Sequence, residues 1–246
     1  MSESLRGDIA LVTGASSGIG RAIALALAAR GAALCLVGRR EERMAAVADE
    51  ASRQAASVAT YPGDLTSDAD IDALVGGIRR DFGGIDIVVH SAGVFSRGMI
   101  GAAPREDLDA QYRMNLRAPY VLTAQLLPVF RPNRGQVVFV NSTAGRSAAG
   151  GVGAYSAMKH ALRGVADALR DEVNARGIRV LSVFVGRTAT PMQMEVHRLE
   201  GRPYRPERLL QPDDIASIVV HALAMPRTAE VTEITIRPLA KLDAPS

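Results

Sequence analysis

The chain has 246 residues, 48% of them hydrophobic, with 29 basic against 26 acidic side chains and a net charge of +3. That length suits one large α/β domain, and the apolar fraction is ample for a buried core. The charges are interspersed, which excludes a nucleic-acid tail and a polybasic membrane patch; the single cysteine excludes an intrachain disulfide, and no run of about 18 apolar residues could span a bilayer.

The first residues, Met1-Ser2-Glu3-Ser4-Leu5-Arg6, lack the apolar segment of a signal peptide, so a cytoplasmic location is expected. Ile9-Ala10-Leu11-Val12 is a short unbroken strand. A Gly-rich turn follows, then an Ala/Leu-rich helix over 21–30 with Gly31 as its C-cap. Ala33–Val37 reads as a strand around Cys35, a small core residue, and 41–54 as a helix. Val58–Tyr61 is a strand, 68–81 a helix, and Ile85–Val89 a strand. A long helix is expected over 105–130, with Pro119 bending it or lying in its first turns. Gln136–Val140 is a strand. Leu162, Val165, Ala166, Leu169 and Val173 recur at helical spacing within a helix over 155–175. Arg179–Val185 (strand), 212–224 (helix) and Val231–Ile236 (strand) complete the series.

Continuous apolar strands that alternate with amphipathic helices must be covered on both faces. The expected fold is α/β: a doubly wound parallel sheet of about seven strands between two helix layers. It accounts for nearly all of residues 1–246 as a single domain. The irregular stretch 187–211, with Pro191, Gly201, Pro203 and Pro206, follows a strand and is placed to fold over a ligand beyond the strand ends. Its Met192, Met194, His197, Leu199 and Tyr204 suggest an apolar wall, and Arg146 or Arg198 could meet an acidic group or stay solvated.

Thr13-Gly14-Ala15-Ser16-Ser17-Gly18-Ile19-Gly20 joins the first strand to the first helix. Glycines let the backbone turn tightly and approach a phosphate, and the helix N-terminus offers free N–H groups and partial positive charge. The candidate contacts are Gly14, Ser16, Ser17, Gly18, Ile19 and Gly20; a tight turn without a ligand is the alternative. Tyr155 and Lys159 lie four apart on one helix and so share a face. A free tyrosine titrates near pH ~10. A neighbouring ammonium favours the phenolate, which suits proton transfer to or from an alcohol or carbonyl oxygen. An ordinary surface pair is the other reading of the same spacing. The four histidines and one cysteine have no metal-ligand spacing.

Together these motifs resemble the short-chain dehydrogenases/reductases, whose Thr-Gly-x3-Gly-x-Gly loop and Asn-Ser-Tyr-Lys set match Asn115, Ser142, Tyr155 and Lys159 in order. The resemblance covers essentially the whole chain and implies a Rossmann-like fold. Gly38-Arg39-Arg40 ends the second strand, where an acidic residue would bind a ribose 2′-hydroxyl. Arginine there can hold a 2′-phosphate, so Arg39, helped by Arg40, points to NADP; two solvated arginines opening a helix are the alternative. The resemblance makes Asp64 and Leu65 the adenine contacts, while Asp64 with Thr66 and Ser67 also reads as a helix cap. It lays Ala92-Gly93 against the cofactor ribose, with His90-Ser91 replacing two asparagines. It sets Gly186, Thr188 and Thr190 around the nicotinamide amide, with Val185 and Thr188 departing from the family pattern.

The expectation that follows is an NADP(H)-dependent oxidoreductase interconverting a secondary alcohol and a ketone or aldehyde. Tyr155 is the acid/base, Ser142 holds the reacting oxygen, Lys159 lowers the Tyr155 pKa and grips the nicotinamide ribose, and Asn115 binds a water linking Lys159 to solvent. The alternative is a non-catalytic NADP-binding regulator or scaffold; an epimerase or dehydratase usually has a larger C-terminal substrate region. The partners expected are a small carbonyl or alcohol substrate and further copies of the chain, as a homodimer or homotetramer.

Overall fold

The computed structural model describes residues 4–239. Seven strands form one sheet: β1 (Ile9–Thr13), β2 (Ala33–Gly38), β3 (Val58–Pro62), β4 (Ile87–His90), β5 (Gln136–Ser142), β6 (Arg179–Val185) and β7 (Glu233–Ile236). Their order is β3-β2-β1-β4-β5-β6-β7, and every neighbouring pair is parallel. The chain winds outward from β1 to β3, crosses to the other side of β1, and winds outward again from β4. That reversal opens a crevice beyond the C-terminal ends of β1 and β4, the usual ligand position in such sheets.

The helices are α1 (Gly18–Ala29), α2 (Glu41–Ala51), α3 (Asp68–Phe82), α4 (Arg105–Tyr112), α5 (Ala118–Leu126), α6 (Gly153–Val173), α7 (Pro191–Leu199) and α8 (Pro212–Leu223). Side chains alternate across each strand. Val12, Leu34, Leu36, Val89 and Val183 therefore pack with Ile23 and Leu27 of α1 and Ile215 and Val219 of α8. Leu11, Cys35, Val88, Val137 and Phe139 face the opposite layer, with Ile71 and Ile78 of α3, Leu122 of α5 and Leu162 of α6. Burial raises the Cys35 thiol to about 12, which fits an inert core residue. Among the described residues no helix is long and apolar enough to cross a membrane.

Three expectations are corrected. The helix over 105–130 is interrupted: α4 and α5 are joined by a π-helical turn, Arg113–Arg117, in which the Ala118 N–H donates to the Arg113 carbonyl five residues back. Pro119 opens α5 and has no N–H to return to Asn115, so an α-helical ladder could not continue there. The stretch 187–211 is not irregular throughout. It contains α7, capped by Thr190, whose Oγ1 accepts from the Gln193 N–H at 3.1 Å. The last strand starts at Glu233, two residues later than the apolar run suggests.

Candidate active site

The crevice is a cleft of about 530 Å³ that crosses the C-terminal ends of the central strands. Its floor is the turn between β1 and α1. Thr13 is buried, and its hydroxyl oxygen accepts from the Ser91 and Ala92 N–H groups at 3.0 and 3.1 Å, which locks the β1 turn to the end of β4. Gly14 has φ +67, and a Cβ there would lie 2.9 Å from the Ala92 Cα. A Cβ on Gly20 would stand 2.5 Å from the Gly14 carbonyl oxygen. Backbone meets backbone at both points, so no rotamer change relieves the clash. Gly20→Ala is expected to cost about 1–3 kcal/mol of stability, the usual range for overpacking, read as a lower urea midpoint, and to weaken dinucleotide binding in parallel.

Every predicted site residue lines this cleft except Asp64. Gly63 and Leu65 on either side of it do line the cleft. The Asp64 Oδ1 accepts from the Thr66 N–H and hydroxyl, each at 2.9 Å, which lowers its pKa with help from Arg39. It closes a turn; the cap of α3 is Ser67, which accepts from the Asp70 N–H. Arg39 and Arg40 are exposed at the rim, beyond the end of β2.

Ser142 ends β5, and its hydroxyl accepts from the Ala144 N–H at 3.1 Å. Tyr155, in the first turn of α6, stands edge-on to Phe95 with ring centroids 5.1 Å apart. Lys159 is buried one turn further along; its Nζ donates to the Val140 carbonyl at 3.1 Å and lies 5.9 Å from the Tyr155 ring centroid. These placements revise the expected electrostatics. Burial raises the Tyr155 pKa, and the Ser142 hydrogen bond opposes it only in part. Burial also brings Lys159 down to about 8. The phenol thus holds its proton at neutral pH, and the group beside it that lowers its pKa is Ser142.

Asn115 sits in the π-helical turn, and its side chain is committed. The amide donates to the Val94 carbonyl and Oδ1 accepts from the Val94 N–H, both at 2.9 Å. Asn141, which sequence reasoning missed, is equally occupied: Oδ1 accepts from the Ser142 N–H at 2.7 Å, and the amide donates to the Lys159 carbonyl at 3.1 Å. It ties the serine strand to the lysine helix. Nothing but its position beside Ser142 could have flagged it.

His90 is buried, stacked on Phe139 at 5.0 Å, with Nε2 2.8 Å from the Thr123 hydroxyl. It links β4 to α5. Burial lowers its pKa to about 3. The unfolded chain binds that proton from about pH 6.5 downward, so this group's contribution is whole above 6.5 and is lost as pH falls toward 3. His90→Asn is expected to flatten the fall of Tm with acid in that window. An unchanged acid limb would contradict the burial of a neutral imidazole.

In 187–211, Thr188 and Thr190 line the cleft, and α7 adds Met192, Gln193 and Val196. Met194 and Leu199 are instead exposed, and His197 is buried against Tyr204 at 5.4 Å. A Cβ on Gly18 would come within 3.1 Å of the Thr190 side chain, so the cap of α7 closes over the first loop. Arg146 pairs with Glu233 and lies over the Phe184 ring, and Arg198 pairs with Glu195; neither lines the cleft. Besides Arg39 and Arg40, the arginines that do are Arg97 and Arg187, both bonded to Glu200. Burial raises the Glu200 pKa, and Arg187, Arg97 and Arg202 more than offset it.

The description short chain dehydrogenase belongs to the family model that matches residues 8–201. An uncharacterized oxidoreductase of Staphylococcus epidermidis is 34% identical over 232 residues, 94% of this chain and 97% of that protein. A glycine betaine reductase of Emericella nidulans is 33% identical over 240 residues, 95% of this chain, which spans only 19% of that much longer protein. Among solved structures, the L-sorbose reductase of Gluconobacter frateurii, complexed with NADPH and L-sorbose, superposes with a TM-score of 0.88 at 25% identity, over 98% of this chain and 100% of that one.

Proposed function

Because the chain belongs to the short chain dehydrogenase family and is an oxidoreductase of that fold, we propose that it interconverts a ketone or aldehyde and a secondary alcohol with NADP(H). The observation that carries this reading is the meeting of Ser142, Tyr155 and Lys159 in a cleft whose far rim is Arg39 and Arg40.

The cleft suits the dinucleotide. The β1–α1 turn has no room for a Cβ at Gly14 or Gly20, so backbone N–H groups can come close to a pyrophosphate. Arg39 and Arg40 would hold the 2′-phosphate, Ala92 and Gly93 would lie against a ribose, and Gly186, Thr188 and Thr190 would take the nicotinamide amide. When bound, the cofactor supplies or accepts the hydride. In reduction, Tyr155 donates its phenolic proton to the oxygen that is becoming an alcohol. Ser142 donates a hydrogen bond to the same oxygen and stabilises its charge. Lys159 carries a positive charge at neutral pH and would hold the ribose hydroxyls. A water linking it to solvent has the Asn115 main-chain carbonyl to bind, since the Asn115 side chain is taken by Val94. The segment around α7 serves as a lid over the substrate end. Oxidation uses the same groups in reverse.

The test is a panel of ketones and alcohols with NADPH or NADP, followed at the nicotinamide absorbance. Turnover of members of the panel is expected. Tight NADPH binding without turnover would instead favour a non-catalytic regulator on the same fold.

A further inference from the structure

Three guanidinium groups converge on one carboxylate at the substrate end of the cleft. Glu200 Oε1 accepts from Arg187 Nη2 at 2.7 Å and from Arg97 Nη1 at 3.1 Å, while its Oε2 lies 3.8 Å from Arg202 Nε. A clamp for the end of α7 needs one positive partner, and here two charges are left over. Among the described residues lining the cleft, Glu200 is the only carboxylate, against Arg39, Arg40, Arg97, Lys159 and Arg187. Arg39 and Arg40 sit at the far rim, beyond β2. The surplus at this end is therefore separate from theirs.

The geometry directs that surplus at the reacting oxygen's surroundings. Arg97 lies two residues past Phe95, whose ring stands against Tyr155. Its loop is pinned to the strip before α6, where the Gly98 N–H donates to the Gly151 carbonyl at 2.9 Å. Arg187 directly follows Gly186 at the end of β6, with its carbonyl accepting from the Leu210 N–H at 3.1 Å. Both arms are thus held by backbone. Within the cluster Arg187 Nη1 is buried without an acceptor and Glu200 Oε2 is buried without a donor, so the cluster is not closed on itself. A buried donor is normally satisfied, and a charged one strongly so. What the cleft wall itself presents is the excess positive charge of Arg97 and Arg187, which both line it, and an anion held there would neutralise it.

We infer that this end of the cleft recognises a carboxylate on the carbonyl substrate, with the guanidinium groups of Arg187 and Arg97 as its partners. The inference rests on the oxidoreductase reading above and names its substrate class, a keto acid or hydroxy acid. Glu200 orients both arginines and keeps their charge from being prohibitive when the site is open to water.

Calorimetric titration of the NADPH-loaded Tyr155→Phe variant with 4-oxopentanoate and with its methyl ester tests this. The acid is expected to bind about tenfold or more tightly than the ester, as loss of a charged hydrogen bond implies. Arg187→Met in the same background is expected to erase that difference, and Arg187→Lys to keep part of it. Thermal melts establish that each variant is folded; if Arg187→Met is not, Arg97→Met carries the same expectation. Equal binding of acid and ester overturns the inference, as does a preference that survives Arg187→Met. Loss of NADPH affinity in the Arg187 variant with the acid preference intact also overturns it, because Arg187 would then be a cofactor contact. A preference for the acid together with no NADPH oxidation by the unaltered chain against the whole ketone panel upholds the inference and sinks the oxidoreductase reading. Reduction of both probes without preference does the reverse.

Discussion

Tyr155→Phe is expected to lower kcat for carbonyl reduction by about 10²- to 10⁴-fold, the span usually contributed by a positioned general acid, while NADPH still binds. The phenylalanine keeps the ring that packs edge-on to Phe95 and removes only the hydroxyl beside Ser142. The loss therefore belongs in kcat and not in the fold. The raised pKa of the phenol sharpens the pH expectation. Reduction needs the protonated form, which the buried group keeps through neutral pH, so the rate is expected to fall only on the alkaline side. Lys159, at about 8, begins to lose its charge in the same direction. Steady-state kinetics of both proteins across pH, with NADPH binding measured separately, checks this. Near-normal turnover in the variant would remove Tyr155 from the mechanism.

The second large effect is on cofactor choice. Arg39→Ala is expected to raise KM for NADPH by about 10- to 150-fold, as a charged hydrogen bond worth about 1.5–3 kcal/mol implies. KM for NADH is expected to change far less, because NADH lacks the 2′-phosphate. Arg39 is exposed at the cleft rim and also lowers the Asp64 pKa, so part of its charge is already engaged; this favours the lower end of the span. High salt is expected to weaken NADPH binding by the unaltered chain for the same reason. Equal losses for the two cofactors would place Arg39 outside the 2′-phosphate site.

The parts of the fold legible in the sequence are those set by local chemistry. Unbroken apolar strands demand cover on both faces, and the seven-stranded parallel sheet follows. The loop from Thr13 to Gly20 was legible because a Cβ at Gly14 or Gly20 has nowhere to go. The helix α7 was also signalled, by the Thr190-Pro191 pair that caps and opens it, but the prolines and glycine around it outweighed that signal. The π-helical turn at Asn115 was not legible. Pro119 announces a break, but whether the ladder bends or slips by one residue depends on α6, packed against it. Side-chain direction was equally hidden. Asn115 was expected as a site residue, yet its amide turns to Val94 because the loop after β4 presents the Val94 N–H and carbonyl together. In the cluster of Arg97, Arg187 and Glu200 the last two flank α7, but Arg97 lies 103 residues before Glu200, and only the topology brings its loop to the same end of the cleft.

The central claim is hydride transfer to a carbonyl in this cleft, and NADPH carrying deuterium at the transferring position of the nicotinamide C4 tests it most directly. With a ketone that the chain turns over, one deuterium is expected on the carbinol carbon of the product for each NADPH oxidised, and none in Tyr155→Phe over the same time. NADPH that binds but keeps its deuterium against the whole ketone panel, or an alcohol whose new hydrogen comes from solvent, would contradict it.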